Sequence, residues 1–264
     1  MSINFPNIDP VLIYIGPLPI RWYSIAYMAG ILLGIFYINF LAKKSKFTLA
    51  KNFIDDFLLF AVFGIIIGGR LGHVFLYDPT KYLMNPIEIL YTWEGGMSFH
   101  GGFVGFVIAT ALFARSNKLN PWKILDLAAC AAPIGIFFGR LANFVNAELV
   151  GRVTNKPWGV VFPNSGILAR HPSQIYEALS EGLLLFLILN ILFFKYHLFK
   201  KDRMLSGAFC ILYSVFRLAS ECFREPDQSI GFIFEYFTMG QVISCITIIF
   251  GIIVIKKDIL KKTL

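Results

Sequence analysis

Gly139-Arg140-Leu-Ala-Asn143-Phe-Val-Asn146-Ala-Glu148-Leu-Val-Gly151 is the densest run of chemically useful side chains in this sequence. On a helix, Arg140 and Asn143 fall about one turn apart on the same face. A guanidinium forks onto phosphate or carboxylate with two parallel hydrogen bonds. Arg140 with Asn143, Asn146 and Glu148 could therefore hold an anionic, hydroxylated headgroup. A structural alternative is a helix end that snorkels its arginine to an interface, with Glu148 as the ion-pair partner. Arginine among apolar residues is expensive, which favours the functional reading.

A second run, Gly95-Gly96-Met97-Ser98-Phe99-His100-Gly101-Gly102, places a histidine just after a capping serine. Ser98 at an N-cap would put His100 in the first helical turn, where the positive dipole end favours the neutral imidazole. A neutral imidazole can take a proton from a nucleophile. The alternative is a packing glycine run with one interfacial histidine. Arg217, Glu221 and Arg224 share a third stripe at i, i+4 and i+7, leading into Glu225-Pro226-Asp227. On spacing alone Glu221 neutralises Arg217 and leaves Arg224 open to an anion, although a closed ion-pair network explains the stripe equally well. Arg170-His171-Pro172-Ser173-Gln174, followed by Tyr176 and Glu177, reads first as helix initiation with Ser173 as N-cap. Tyr23 and Tyr27 look like an aromatic belt, with Tyr23 beside Arg21 and Trp22 the more interesting of the two. Arg70 and His73 are open to either reading.

The elements carrying these residues follow from composition. Of 264 residues 57% are hydrophobic and 15% charged, with 28 Phe and a mean hydropathy of +0.68. A soluble domain carries about 25% charged residues, so this chain is expected to be an all-α integral membrane protein. Seven apolar stretches are long enough to be helices: 22–41, 53–76, 99–114, 124–141, 174–194, 205–223 and 237–255, the third being the shortest. They form a bundle of seven transmembrane helices in one multi-pass domain spanning 1–264.

Lys43, Lys44, Lys46 and Lys51 follow the first stretch, and Arg115, Lys118 and Lys123 the third. Lys195, Lys200, Lys201 and Arg203 follow the fifth, while Lys256, Lys257, Lys261 and Lys262 follow the last. The positive-inside rule puts these loops in the cytoplasm, with the N-terminus outside and the C-terminus inside. The polar chemistry then gathers in outer loops that form a small external head. The net charge of +8 comes from cations spread between apolar segments, so no nucleic-acid partner is expected. Residues before Arg21 lack a basic n-region and carry Pro6, Pro10, Pro17 and Pro19, unlike a signal peptide. They read instead as a short amphipathic segment on the membrane surface. Cys130, Cys210, Cys222 and Cys245 sit in apolar stretches without metal-like spacing, so no metal and no disulfide framework is expected. Neither Gly-x-Ser-x-Gly nor His-Glu-x-x-His occurs, which disfavours serine-protease and metalloprotease chemistry.

These motifs together resemble the bacterial phosphatidylglycerol–prolipoprotein diacylglyceryl transferase family along essentially the whole chain. The 139–151 run is similar to that family's Gly-Arg-x-(Gly/Ala)-Asn-Phe-x-Asn-x-Glu-x-x-Gly signature, and His100-Gly101-Gly102, Arg170 to Gln174 and Phe223 to Asp227 match further motifs. The loop between the fourth and fifth stretches is shorter than in some members, which leaves the shape of the head open. The resemblance implies transfer of the diacylglyceryl group of phosphatidylglycerol to the thiol of a lipobox cysteine in a preprolipoprotein, the first step of lipoprotein maturation. It implies His100, Arg140, Arg224 and Tyr23 as catalytic residues, with Arg140 and Arg224 on phosphate. Asn143, Asn146, Glu148 and Gly151 would serve the headgroup. It implies no cofactor, membrane lipids as surroundings, and the bacterial inner membrane as location with the site on its outer face. Substrates would enter sideways between helices, and the glycines Gly64, Gly68, Gly69 and Gly72 fit close helix contacts. The alternatives are a phospholipid or polyol transporter without chemistry, and a scaffold whose charges are an ion-pair network.

Overall fold

The computed structural model describes residues 2–6, 8–49, 53–76, 79–226, 232–233 and 236–260. A helix occupies each of the seven apolar stretches. These are α1 (Trp22–Ser45), α2 (Phe53–Leu76), α4 (Phe99–Ser116), α5 (Pro121–Val145), the continuous helix Ser173–Phe194, α8 (Met204–Glu221) and α9 (Met239–Leu260). Among the described residues six of them are long and apolar enough to cross a membrane, and α4 is a shorter apolar helix. Every backbone N–H and C=O inside such a helix bonds within it, which is why helices are what an apolar run can become in hydrocarbon. A short helix α3 (Pro79–Met84) follows α2.

The helix at Ser173–Phe194 is not uniform. It opens as α6 (Ser173–Glu177), widens to π-helical geometry over Ala178–Leu184, and returns as α7 (Leu185–Phe194). Such insertions recur at functional sites because they re-aim side chains within an otherwise regular helix. Here the widened turn carries Glu181 and directly follows Glu177.

The chain divides into two compact units. One runs to Leu41 and resumes at Asp126; the other is Ala42–Leu125. In the first, glycines set the helix approaches. A methyl on Gly30 of α1 would sit 3.0 Å from the Gly135 Cα of α5, and one on Gly182 would sit 2.7 Å from Phe137 Cβ. Small residues let backbones meet where apolar surface gives no advantage over lipid. The segments before α1, after α5 and before α9 carry short strands. β1 (Ile3–Asn4) runs parallel to β4 (Val160–Val161), over a core of Phe5, Phe144, Ala147, Val150 and Phe162. The N-terminal segment read as amphipathic is a β-hairpin, β2 (Val11–Ile15) with β3 (Leu18–Arg21). Its turn places Gly16 at φ +59°, the positive φ a two-residue hairpin needs at that position. Two strands, β5 (Phe232–Ile233) and β6 (Phe237–Thr238), form a second short hairpin before α9.

The second unit is built on the α2–α4 crossing. Methyls on Gly68 and Gly101 would lie 2.4 and 2.2 Å from each other's carbonyl oxygens, so the two backbones touch directly. Gly64 and Gly72 join that contact, whereas Gly69 faces Met97. An apolar groove of about 800 Å³ runs along the same pair of helices, lined by residues such as Phe63, Ile67 and Ile108.

Candidate functional site

Three arginines and three glutamates meet where α5, α6 and α8 approach one another in the first unit. Arg140 Nη1 lies 2.9 Å from Glu177 Oε2, and its Nη2 lies 3.1 Å from Glu181 Oε2. Arg217 Nη1 lies 2.9 Å from Glu177 Oε1, and its Nη2 lies 2.6 Å from Glu221. Arg224 Nη1 reaches Glu177 Oε1 at 3.3 Å. Glu177 and Glu181 are fully buried, and Arg140, at 18% side-chain exposure, is the most open of the three arginines. Buried charges are tolerable only when paired and hydrogen-bonded, and equal numbers of each sign neutralise this cluster.

This geometry decides two readings that the sequence left open and corrects one helix cap. Arg224 is not left open, because Glu177 on another helix partners it. Arg217 does pair with Glu221, as the i, i+4 spacing requires. Glu148 is not the ion-pair partner of Arg140; its Oε1 accepts a 2.6 Å hydrogen bond from Asn143 Nδ2. Ser173 is the first helical residue rather than the N-cap, which is Pro172, and its hydroxyl donates to Leu149 O at 3.1 Å. Glu177 and Glu181, which the local pattern assigned to helix initiation or not at all, are the hubs. No periodicity within one helix reveals a partner on another helix some forty residues away.

Beside this cluster lies a second patch. Tyr23 opens α1; its hydroxyl sits 3.2 Å from that of Tyr27 and interacts with the Asn143 amide and Glu148. Asn143 stands one turn beyond Arg140 on α5, so α5 joins the two patches. Asn146 also lies on this loop, its Oδ1 buried without a hydrogen-bond donor. Gly151 has a backbone role: a methyl there would lie 2.4 Å from His171 O and 2.7 Å from Phe223 O. Its N–H donates to His171 O, and it bridges to Arg224. Arg170 is spent on the loops, donating to Ser165 O, Gly151 O and the Glu225 carboxylate.

Outside the membrane-crossing helices, His171 packs against Tyr176 and Phe223, its Nδ1 3.1 Å from the Tyr176 hydroxyl. Partial desolvation first, and the nearby Lys156 second, push its pKa below the usual 6.5. The imidazole is therefore neutral at pH 7.

In the second unit, Ser98 caps α4 as expected, accepting from Gly101 N at 3.3 Å. The backbone of His100 lies in the first turn of α4; its side chain, like Asp227, lies outside the described residues. Arg70 is nearly buried and donates to the carbonyls of Glu88, Ile89, Tyr91, Gly95 and Gly96. It is an anchor for the segment leading into α4. Gly95 and Gly96, at φ +87° and +79°, make the turn possible. Among the described residues no group of His, Cys, Asp and Glu is arranged to hold a metal ion.

Fold and site together define a multi-pass helical membrane protein with a neutralised arginine–glutamate cluster at one end of its helices. Residues 10–256 match the family described as prolipoprotein diacylglyceryl transferase. A relative from Rickettsia felis named phosphatidylglycerol–prolipoprotein diacylglyceryl transferase is 52% identical over 94% of this chain and 96% of its own length. Relatives of the same name from Rickettsia bellii and Rickettsia canadensis are each 51% identical, over 96% and 97% of the chain and 97% and 99% of their own lengths. The chain belongs to the prolipoprotein diacylglyceryl transferase family and is a transferase of lipoprotein biosynthesis. The transporter and scaffold alternatives find no support in these comparisons.

Proposed function

We propose that this chain moves the diacylglyceryl group of phosphatidylglycerol to the thiol of a lipobox cysteine in a preprolipoprotein. A carbon–sulfur bond forms at the glycerol carbon while the carbon–oxygen bond to phosphate breaks, and glycerol phosphate leaves with the electron pair. The thiol proton passes to a base. Such a reaction needs cations on the leaving phosphate and donors on the headgroup hydroxyls.

The observation that carries the site is the junction on α5: Arg140, the most exposed guanidinium of the cluster, one turn from Asn143, which holds Glu148 and meets Tyr23. Arg140 is our phosphate clamp, exchanging part of its bonding to Glu177 and Glu181 for the incoming phosphate. Arg224, more deeply set on Glu177, supports the same charge from behind. Asn143, Asn146 and Glu148 orient the headgroup, Tyr23 orients or activates a hydroxyl, and His100 is the base assigned to the thiol. Gly151 keeps the loop backbone tight against the site.

In this reading all seven helices cross the bacterial inner membrane within one domain. The N-terminus and the 147–172 loops lie outside, and the lysine-rich ends lie in the cytoplasm. Both substrates are lipid-embedded and enter sideways between helices. The test is a mass measurement on a single-cysteine lipobox peptide mixed with purified protein and phosphatidylglycerol. A gain of one diacylglyceryl group, absent with a Cys→Ala peptide, is the expected result. An unmodified peptide in the presence of folded, lipid-binding protein would overturn the reading.

A further inference from the structure

The turn that carries Glu148 is strained. Ala147 and Leu149, on either side of it, hold φ at +52° and +57°, in the left-handed region that non-glycine residues avoid. Such strain persists only where neighbouring structure over-determines the backbone. The neighbours here are specific. Gln174 Nε2 donates to Glu148 O at 2.7 Å, and Ser173 Oγ donates to Leu149 O at 3.1 Å. From the other side the Glu148 N–H donates to Asn143 O at 3.1 Å, and the Gly151 N–H to His171 O at 3.0 Å. With the backbone pinned, the Glu148 carboxylate meets Asn143 Nδ2 at 2.6 Å.

Gln174 itself makes a poor core residue. It is fully buried, and its Oε1 has no hydrogen-bond partner. A buried amide left half-satisfied costs stability that an apolar side chain of similar length would not. Fold stability alone therefore gives no reason for an amide at this position. Its donor, aimed at the carbonyl between two left-handed residues, gives one.

We propose that Gln174 and Ser173 are positioning residues that clamp the Ala147–Leu149 turn in its left-handed conformation, thereby aiming Glu148 at Asn143 and Tyr23. The clamp couples the start of α6 to the end of α5, so the headgroup patch and the arginine–glutamate cluster share one rigid base. Its effect on catalysis rests on the functional reading above; its effect on the turn does not.

The experiment compares wild type, Gln174→Met and Ser173→Ala as purified full-length protein, with amide hydrogen exchange and with kcat and KM for a lipobox peptide and phosphatidylglycerol. Gln174→Met fills the same space without the donor, and Ser173→Ala is the milder change. For both we expect faster exchange confined to peptides covering 146–151. For Gln174→Met we expect kcat to fall about tenfold or more, ~1.4 kcal/mol on the barrier, with the peptide KM unchanged. Adding Leu149→Gly to Gln174→Met should recover part of the lost kcat, because glycine takes a positive φ without strain. Loss of kcat with unchanged exchange at 146–151 and no glycine rescue would overturn the proposal, as would wild-type exchange and kcat in both variants. If Gln174→Met does not fold, Ser173→Ala decides by the same exchange criterion. Should wild type transfer nothing, the functional reading fails, and exchange at 146–151 still decides whether the clamp exists.

Discussion

At the scale of single residues, Glu177 matters most, because one carboxylate serves three guanidiniums. Its replacement by Gln leaves Arg140 on Glu181, Arg217 on Glu221, and weakens the 3.3 Å contact to Arg224. Breaking a buried ion network by removing one charge costs about 3–5 kcal/mol. Glu177→Gln should therefore lower the melting temperature sharply and abolish transfer, whereas Glu225→Gln, which breaks a half-exposed pair with Arg170, should cost about 0.5 kcal/mol or less. Arg140→Lys keeps the charge but loses the fork that reaches Glu177 and Glu181 at once. We expect its turnover to fall about tenfold or more in the peptide mass assay, and wild-type turnover would remove Arg140 from the clamp. His171 gives a pH prediction. Its pKa is lowered on folding, so the unfolded chain binds that proton more readily than the folded one. The stability it contributes is present above the unfolded value near 6.5 and is lost as pH falls below it toward the lowered folded value. Melting measured from pH 7 down to about 5 should show this slope, and His171→Gln should flatten it. The Arg140 fork is visible in the local pattern, but the hub is not: Glu177 reads as a first-turn acid until α5 and α8 are brought against it.

At the scale of elements, the helices were legible and their contacts were not. Hydropathy and flanking charge mark where each helix lies, because a chain in hydrocarbon must close its own hydrogen bonds locally. Boundaries drift by a few residues, as in α5, which extends past Leu141 to Val145 and so carries Asn143 on regular helix. The widened turn at Ala178–Leu184 has no signature in the apolar pattern. Glycines show the same division. Gly68 and Gly105 are demanded by the α2–α4 crossing, where a methyl on Gly105 would lie 2.0 Å from Gly64 O. Gly105→Ala should therefore destabilise this unit by about 1–3 kcal/mol in a thermal melt. Gly34 in α1 meets nothing within 4 Å, and Gly34→Ala should be neutral or stabilising by up to about 1 kcal/mol. Equal losses in both variants would show that the close crossing does not hold α2 and α4 together.

At the scale of the whole molecule, the distribution of lysine and arginine is the organising fact. Lysines cluster after the first, fifth and last apolar stretches, while arginines with glutamate partners gather around the 139–151 and 217–225 segments. Compact ammonium groups suit a cytoplasmic flank, and planar guanidiniums suit bidentate pairing in a partly dry site. The orientation we propose is checked by single cysteines in a background in which Cys130, Cys210, Cys222 and Cys245 are all replaced by Ser or Ala, labelled in intact cells with a membrane-impermeant maleimide. Asn155→Cys should label and Lys118→Cys should not; the reverse pattern would put the arginine–glutamate end in the cytoplasm.

The sequence by itself determined the apolar helices, the charge asymmetry and the run from Gly139 to Gly151, because each is written in composition or spacing along a short stretch. It also determined the family, through several motifs in one order. Tertiary structure alone decided that Glu177 rather than Glu148 meets Arg140, that Arg224 is already paired, and that Arg70 is consumed by backbone carbonyls. It also decided that Ser173 and Gln174 grip a left-handed turn. These are contacts between groups 24 to 47 residues apart, brought within hydrogen-bond distance by the packing of helices and loops. Burial then makes each choice of partner binding, since a charge or amide left alone inside costs more than the turn or helix can return.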